Sequence, residues 1–193
     1  MKVLVIPEDE RADRYIVGPI ITAMLASTGI PSARVQVCQD PVLGGVGEAL
    51  KWSVIEEILG QYRAMVDLFV LIVDRDGEEG RKQQLNRLET LASDDGHSTL
   101  LCENAWEEVE TWLLAGHEEA PKVLGRRWRD IRAAVQCKER CFVPYAEHRG
   151  VCDGPGGGRK VLGREAASSY PRIVQLCPED VGHLEARIGQ SRT

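Results

Sequence analysis

Residues 68–77 of the 193-residue chain read Leu-Phe-Val-Leu-Ile-Val-Asp-Arg-Asp-Gly, and this stretch decides the fold class. An unbroken apolar run of this length is typical of a strand that is covered on both faces, as in a parallel sheet. Two acidic residues, Asp74 and Asp76, follow the run directly, and Gly77 allows the backbone to turn sharply away. The stretch therefore predicts a buried parallel strand with carboxylates at its C-terminal end.

Strands and helices alternate on both sides of this stretch. The apolar patterns predict strands over residues 2–6, 33–38, 68–73 and 98–102, and helices over residues 13–26, 48–63, 81–92 and 105–115. This βαβαβαβα order is typical of an α/β fold with a mainly parallel sheet and helices on both faces. We therefore predict one α/β domain over residues 1–116, with a kink in its first helix at Pro19.

The remaining residues, 117–193, are predicted to form a mainly helical C-terminal extension packed on the first domain. Helices are predicted over residues 128–135, 159–170 and 181–188, and a glycine-rich loop over residues 153–158. The extension is basic, whereas the rest of the chain is acidic. Residues 1–120 hold 10 basic and 22 acidic side chains, and residues 121–193 hold 14 basic and 8 acidic ones. Such a division suits metal ions on one side and a polyanion on the other, and uneven surface decoration is the alternative.

The composition excludes several classes of protein. Hydrophobic residues make up 43% and charged residues 28%, a balance typical of soluble globular proteins rather than disordered ones. No apolar run approaches the ~20 residues of a membrane-spanning helix, and Met1 leads directly into an apolar run without a secretory signal. Six cysteines in such a chain are expected to be free thiols in a reducing cytoplasm. The net charge of −6 argues against wholesale coating of a nucleic acid.

Carboxylates follow two of the predicted strands. Glu8 and Glu10 come after the first strand, and Asp74 and Asp76 come after the most apolar one. Ligands of open α/β sheets bind outside the carboxyl ends of the strands, so these acids are expected to meet. Clustered carboxylates repel each other unless a cation joins them, and hard oxygen ligands favour Mg²⁺ or Mn²⁺. Taken singly, each acid could instead cap a helix, make a turn or lie solvated in a loop.

Three segments together resemble the TOPRIM domain, in particular the small stand-alone TOPRIM-like proteins related to OLD-type nucleases. They are VLVIPEDE at residues 3–10, LFVLIVDRDG at residues 68–77 and NAWEEVETWLLAG at residues 104–116. The resemblance implies a TOPRIM-like, Rossmann-like domain over residues 1–116. It also implies metal-dependent cleavage of phosphodiesters in DNA or RNA, with a possible role in bacterial defence. Two departures, Asp9 directly after the first acid and Gly116 at the end of the third segment, bear on catalytic competence.

Residue by residue, the resemblance places the first acid on Glu8, with Glu10 as its rival. It places the metal-binding pair on Asp74 and Asp76. The acids of the third segment, Glu107 and Glu110, are three residues apart and hence expected on one helix face. The resemblance implies that one of them completes a second metal site or acts as general base. A non-catalytic module that binds nucleic acid or a partner protein, with a possible homodimer or defence-system partner, is the alternative.

Basic residues of the extension are candidate contacts for a nucleic-acid backbone. The loop over residues 153–158 is expected to be mobile and to deliver Arg159 and Lys160 to the acidic site, with Lys160 as the catalytic cation. Around Trp128, four arginines could follow phosphates while the indole stacks on a base. They are Arg126, Arg127, Arg129 and Arg132. The alternative for the loop is a solvated linker. The alternative for the segment around Trp128 is a helix with a buried tryptophan and solvated arginines.

The cysteines suggest one further possibility, a structural zinc site. Cys137, Cys141, His148 and Cys152 have the residue types that tetrahedral zinc binds, but not the spacing of a common finger. Two thiols on one helix face are the favoured interpretation. The other three cysteines, Cys38, Cys102 and Cys177, are expected to be buried, and Trp106 and Trp112 are expected in the core.

Overall fold

The structure, a computed structural model, describes residues 1–97 and 99–190, and its centre is a parallel four-stranded sheet. The strands are β1 (Lys2–Pro7), β2 (Arg34–Val37), β3 (Leu68–Asp74) and β4 (Leu100–Ala105), and their spatial order is β2-β1-β3-β4. Every neighbouring pair is parallel; Val5 of β1, for example, pairs with Val37 on one side and Val70 on the other. The predicted α/β fold class is confirmed.

Eleven helices surround the sheet in the described part of the chain. They are α1 (Glu10–Ser27), α2 (Val46–Ala49), α3 (Trp52–Tyr62), α4 (Arg81–Asp94), α5 (Glu110–Ala115), α6 (Ala120–Val123), α7 (Trp128–Arg132), α8 (Val143–His148), α9 (Arg159–Ser168), α10 (Tyr170–Leu176) and α11 (His183–Gln190). Short π-helical turns, Lys138–Phe142 and Pro178–Gly182, lead into α8 and α11. No helix among these residues is long and apolar enough to cross a membrane.

Both faces of the sheet are covered, because alternate residues of each strand point to opposite sides. On one side, Val5 and Val70 pack with α1, α5 and the helices of the C-terminal extension. On the other side, Leu4 and Leu71 pack with α3 and α4. The C-terminal helices thus share one apolar core with the sheet rather than forming a separate one.

The largest difference from the predicted elements lies after β4, where the predicted helix over residues 105–115 forms only from Glu110. β4 continues to Ala105, which pairs with Asp74 of β3. The next residue, Trp106, donates its backbone N–H to the buried Asp180 carboxylate at 2.8 Å. Since Glu107 then has φ of 65°, which no helix admits, helix formation is delayed.

Other boundaries differ where local signals are weak. The helix predicted over residues 48–63 is two helices, α2 and α3, and α1 continues through Pro19 to Ser27. The helix predicted to run to position 135 ends at Arg132. Two helices, α6 and α8, were not predicted, and α10 begins at the last residue of the helix predicted over residues 159–170. The strand predicted to begin at Ser98 begins at Leu100; position 98 and positions 191–193 lie outside the described residues.

Two glycines allow α9 to lie directly against the first half of the chain. A Cβ atom on Gly163 would lie 2.1 Å from the Tyr15 carbonyl oxygen of α1, and one on Gly116 would lie 2.5 Å from Cα of Ala166. Both contacts involve backbone atoms, which cannot rotate away as a side chain can. This close approach brings the N-terminus of α9 to the carboxyl edge of the sheet.

We expect Gly163→Ala to lower the free energy of unfolding by about 1–3 kcal/mol, because the added methyl group forces α1 and α9 apart. The matched control is Gly60→Ala in α3, where an added Cβ meets nothing within 4 Å. That variant should be neutral or gain ~0.5–1 kcal/mol from its better helix propensity. Urea unfolding of both variants measures the difference, and equal effects would contradict the close packing of α9 on α1.

Candidate functional site

The carboxyl ends of β1, β3 and β4 border a cavity of about 210 Å³, here called the acidic cavity. Eight of its lining residues are acidic and two are basic. The acidic ones are Glu8, Asp9, Asp13, Asp74, Asp76, Glu108, Glu110 and Glu139, and the basic ones are Lys138 and Arg159. The structure thus gathers Glu8, Asp74 and Asp76 at one edge of the sheet, as their positions after the strands predict.

Hydrogen bonds between the strand ends fix two of these carboxylates. The backbone N–H of Glu8 donates to the Ile72 carbonyl oxygen at 3.1 Å, which extends β1 by one residue along β3. The Glu8 side chain in turn accepts a hydrogen bond from the backbone N–H of Asp74 at 3.1 Å. The Asp74 side chain accepts one from the backbone N–H of Val109 at 2.9 Å. One carboxylate therefore links β1 to β3, and the other links β3 to the segment after β4.

Asp76 lies in a tight turn that Glu107 holds in place. The backbone at Asp76 is left-handed, with φ of 53°, and Gly77 follows with φ of 73°. For a side-chain-bearing residue such a conformation costs about 1–2 kcal/mol. The Glu107 carboxylate accepts hydrogen bonds from the backbone N–H of Gly77 at 2.7 Å and from Arg75 at 3.2 Å. Glu107 thus stabilises the turn that presents Asp76.

The predicted pairing of Glu107 and Glu110 on one helix face is therefore wrong. Glu107 precedes α5 and does not line the acidic cavity, whereas Glu110 begins α5 and does. Glu108 lines the cavity between them, and its carboxylate accepts a hydrogen bond from the backbone N–H of Lys138 at 2.5 Å. The backbone at Glu107 is left-handed. The Glu107 carboxylate binds the backbone N–H of Gly77, and Glu108 lines the acidic cavity instead.

Asp13 and Glu108 are site residues that the sequence patterns do not indicate. Asp13 lies in the first turn of α1, where an acidic residue is common for reasons of helix polarity alone. Its carboxylate accepts a hydrogen bond from the backbone N–H of Asp9 at 3.1 Å. The one available signal is that Asp13 lies one helical turn after Asp9, which follows the end of β1 by two residues.

Burial and mutual repulsion raise the pKa values of five carboxyl groups in the acidic cavity, those of Glu8, Asp13, Asp74, Asp76 and Glu108. Burial raises the pKa of Asp74 well above its ordinary value, and the charges of Asp13 and Glu110 raise it further. Burial likewise raises the pKa values of Glu8 and Asp76, with smaller opposing effects from a hydrogen bond and from a nearby arginine. Without a bound cation, the folded protein therefore favours protonated carboxyl groups here.

Two carboxyl groups have pKa values close to neutrality. Burial, followed by repulsion from Glu110, raises the pKa of Asp13 from 3.8 to about 7. Burial also raises the pKa of Glu108 from 4.5 to about 7, against the lowering effect of its hydrogen bond from Lys138. These two groups change charge in the pH range in which most enzymes work.

We expect the metal-free protein to lose stability relative to an Asp13→Asn, Glu108→Gln variant as the pH rises. An acid whose pKa is raised by folding stabilises the folded state below its ordinary pKa, and this contribution disappears as the pH rises to about 7. For the buried Asp13 the change is on the order of 2–4 kcal/mol. Urea unfolding in EDTA at pH 5 and pH 8 measures it, and a pH-independent difference between the two proteins would contradict it.

The glycine-rich loop presents Arg159, not Lys160, to the acidic cavity. Arg159 is buried and donates from Nε to the Glu110 carboxylate at 3.0 Å, with a second, shorter bond from Nη2. Lys160 does not line the cavity, so the prediction that it reaches this site is wrong. The phase of α9 decides this, because adjacent helix residues point about 100° apart. The loop itself is folded into turns, with Gly156 seated against the Tyr15 ring.

Glu10 and the arginines around Trp128 lie outside the acidic cavity. Glu10 is buried and accepts a hydrogen bond from Arg14 at 2.8 Å, so of the two rival acids only Glu8 lines the cavity. Three of these arginines, Arg126, Arg127 and Arg129, are exposed, whereas the fourth, Arg132, is buried and pairs with Asp180 at 2.7 Å. Trp128 is half-buried against the core and donates from Nε1 to the Leu176 carbonyl oxygen at 3.2 Å. This tryptophan therefore anchors α7 rather than standing free to stack on a base.

The residues proposed for zinc are divided between the interior and the surface. Cys137 and Cys141 are buried, whereas His148 and Cys152 are exposed. Among the other aromatic and thiol predictions, Trp112, Cys38, Cys102 and Cys177 are buried as expected. Trp106 is not a core residue: it is half-exposed, with the Arg75 guanidinium 4.1 Å from its ring centre.

The donor set of the acidic cavity suits a hard divalent cation, since it consists of carboxylate oxygens with few opposing positive charges. The side chains do not yet form a ligand cage. Within residues 1–97 and 99–190, no three His, Cys, Asp or Glu side chains stand together in positions that could hold a metal ion. Binding would therefore require the carboxylates to rotate towards a common point.

Comparisons with known proteins do not identify a relative: no family model matches the chain, and neither a curated protein nor a solved structure is significantly similar to it.

Proposed function

We propose that the protein is a Mg²⁺- or Mn²⁺-dependent nuclease that hydrolyses phosphodiester bonds of nucleic acid at the acidic cavity. One observation carries the proposal: carboxylates from the ends of three parallel strands meet in a cavity whose lining holds eight acidic and two basic residues. Such a cluster is unfavourable on its own, and a divalent cation removes the repulsion. The TOPRIM-like order of the acids in the sequence points to the same chemistry.

Glu8, Asp74 and Asp76 are the residues that would hold the cation, with Asp13 and Glu108 close enough to complete a second shell or a second site. When bound, the cation would neutralise the charge that develops on the phosphodiester oxygens during hydrolysis. The protein contributes position: Glu8 and Asp74 are held by backbone hydrogen bonds, and Asp76 by the left-handed turn.

Glu108 is the candidate general base. Its pKa of about 7 means that at neutral pH a large fraction is ionised and can accept a proton from an attacking water molecule. Its carboxylate accepts a hydrogen bond from the backbone N–H of Lys138, a basic residue that also lines the cavity. Arg159 forms a buried ion pair with Glu110 and so holds that carboxylate in place.

A second candidate function is a non-catalytic module that binds nucleic acid or a partner protein through the same fold. The observation that favours it is the lack of a preformed ligand group in the described residues. The two candidates differ in one measurable property, because only the nuclease should need a divalent cation to change its ligand covalently.

Incubation with end-labelled single- and double-stranded DNA and RNA, in Mn²⁺ or in EDTA, tests the proposal. We expect cleavage of at least one substrate in Mn²⁺ and none in EDTA. Asp94→Asn, which removes an exposed carboxylate at the end of α4, is the matched control and should cleave as the wild type does. Binding without cleavage in Mn²⁺ would reject the nuclease in favour of the second candidate.

A further inference from the structure

Arg81 is a buried arginine at the first position of α4, and it is only 7% exposed. It lines a cleft of about 410 Å³ that lies beside the acidic cavity and is here called the α4 cleft. The walls of this cleft also include Arg75, Lys82, Trp106 and Asp180. Neither the proposed metal site nor the proposed general base makes use of this cleft.

The other buried or half-buried charges in the α4 cleft have partners. Arg75 pairs with Glu107 at 3.2 Å, Lys82 pairs with Glu103 at 2.6 Å, and Asp180 pairs with the buried Arg132 of α7 at 2.7 Å. These pairs neutralise one another without any ligand. Three exposed carboxylates, Glu78, Glu79 and Glu179, also line the cleft, and Arg81 is the buried charge of this lining that has no ion pair among the described residues.

Arg81 has no such partner among the residues that the structure describes. Its guanidinium donates one hydrogen bond, to the neutral Gln84 amide oxygen at 3.3 Å, and its Nε is buried without any hydrogen-bond partner. No ion pair joins it to a carboxylate within residues 1–97 and 99–190. A buried, unpaired guanidinium is unfavourable unless an anion approaches it, because burial removes its hydration.

The backbone around Arg81 also suits an anion. α4 has 14 residues, and its N-cap, Gly80, provides no side chain to accept the N–H groups of the first turn. Free N–H groups and the helix dipole together favour a negatively charged group at such an end. Arg81 is the first residue of α4, so its guanidinium and the uncapped helix end belong to the same turn of the chain.

The α4 cleft and the acidic cavity are separated by a single turn of backbone. Arg75 lines the cleft, whereas the next residue, Asp76, lines the cavity. The charge of Arg81 acts on both Glu8 and Asp76, where it partly offsets the raised pKa values. An anion bound at Arg81 would thus lie beside the carboxylates to which we assign catalysis.

We propose that Arg81 and the first turn of α4 bind a phosphate group of a single-stranded nucleic acid, next to the phosphodiester at the acidic cavity. This inference rests on the proposed nuclease function for the identity of its ligand. A single strand fits better than a duplex, because the guanidinium is recessed in a cleft that an unpaired backbone can enter. The half-exposed Trp106 also lies on the cleft wall, with the Arg75 guanidinium over its ring.

Fluorescence anisotropy of a labelled single-stranded DNA in EDTA tests the proposal, because binding is then independent of metal and of turnover. We expect Arg81→Gln to weaken binding at least tenfold and to reduce the slope of log K against log salt by about 0.7, as the loss of one phosphate contact requires. Arg87→Gln makes the same charge change on the exposed part of α4 and should bind as the wild type does. Equal affinities of Arg81→Gln and wild type would overturn the proposal.

Thermal unfolding shows whether each variant is folded, and it also tests which ligand binds at Arg81. Arg81→Gln removes a buried charge that has no ion pair, but it also removes the positive charge that offsets Glu8 and Asp76, so its melting temperature serves as the check that the variant folds. If it does not fold, Arg81→Lys takes its place, with a smaller loss of affinity expected. Inorganic phosphate could raise the melting temperature of the wild type but not that of the variant, while both proteins bind DNA equally. This result would overturn the single-strand assignment in favour of a free phosphate compound.

The same variants separate the failure of this inference from the failure of the proposed function. If the wild type never cleaves in Mn²⁺ but Arg81→Gln still loses DNA binding, the nuclease is rejected and the phosphate site stands. If the wild type cleaves and Arg81→Gln binds and cleaves equally well, the phosphate site is rejected and the nuclease stands.

Discussion

Cleavage of a labelled oligonucleotide in Mn²⁺ is expected to fall by about a thousandfold or more when Asp74 and Asp76 are both replaced by asparagine. The two carboxylates follow the central strand and line the acidic cavity together. Their loss removes ligands of the proposed cation, whose stabilisation of the transition state is worth several kcal/mol, and each ~1.4 kcal/mol is a factor of ten in rate.

The same double variant should be more stable than the wild type in the absence of metal. Repulsion from Asp13, Glu110 and Glu8 raises the pKa of Asp74, and an asparagine at this position does not take part in that repulsion. Single-turnover rates and melting temperatures in EDTA measure the two effects. Undiminished cleavage, with Asp94→Asn as control, would show that the acidic cavity is not the site of the reaction.

Replacement of Arg159 by alanine is expected to destabilise the protein by about 3–5 kcal/mol, because it leaves the buried Glu110 carboxylate without its partner. The Arg159 side chain also covers the Phe142 ring, with its guanidinium carbon 4.4 Å from the ring centre. A role as an exposed contact for nucleic acid would predict almost no change in stability. The sequence-based assignment of Arg159 to nucleic-acid binding and the structure therefore make opposite predictions.

Two comparisons make the Arg159 result specific. Arg164→Ala, an exposed position on the same helix, should change stability by no more than ~0.5 kcal/mol. The double variant Arg159→Met, Glu110→Gln should recover most of the loss, since it removes both buried charges at similar volume. Urea unfolding of the variants provides the free energies, and a loss below ~1 kcal/mol for Arg159→Ala would contradict the buried ion pair.

The parts of the fold that follow from local patterns could be predicted from the sequence. The apolar run of β3 has no polar break, and all six of its residues from Leu68 to Val73 are buried in the sheet. Since parallel strands end at one edge of a sheet, the positions of Glu8, Asp74 and Asp76 after their strands were sufficient to bring them together.

The third segment could not be predicted correctly, because its conformation depends on distant residues. The backbone at Trp106 is held by Asp180, which lies 74 residues away in the sequence. Glu107 is turned back to the 74–77 turn, so Glu108 takes the place in the cavity that periodicity gives to Glu107. Neither of these long-range contacts can be inferred from the local helical pattern.

The roles of the basic residues near the site likewise depend on tertiary packing and could not be predicted from the sequence. Arg159 and Lys160 are adjacent and chemically alike, and only the packing of α9 on α1 through Gly163 decides which of them enters the cavity. Arg81 carries no signal in the sequence, because an arginine at a helix start is unremarkable until its burial and its lack of an ion pair among the described residues are seen.

Calorimetric titration of the apo protein with Mn²⁺ tests the central claim, that the acidic cavity is a divalent-metal site, most directly. We predict that the wild type and the Asp94→Asn control bind Mn²⁺ with the same affinity, and that the Asp74→Asn, Asp76→Asn protein shows no binding over the same concentration range. The absence of binding to the wild type, or equal binding to all three proteins, would contradict the claim.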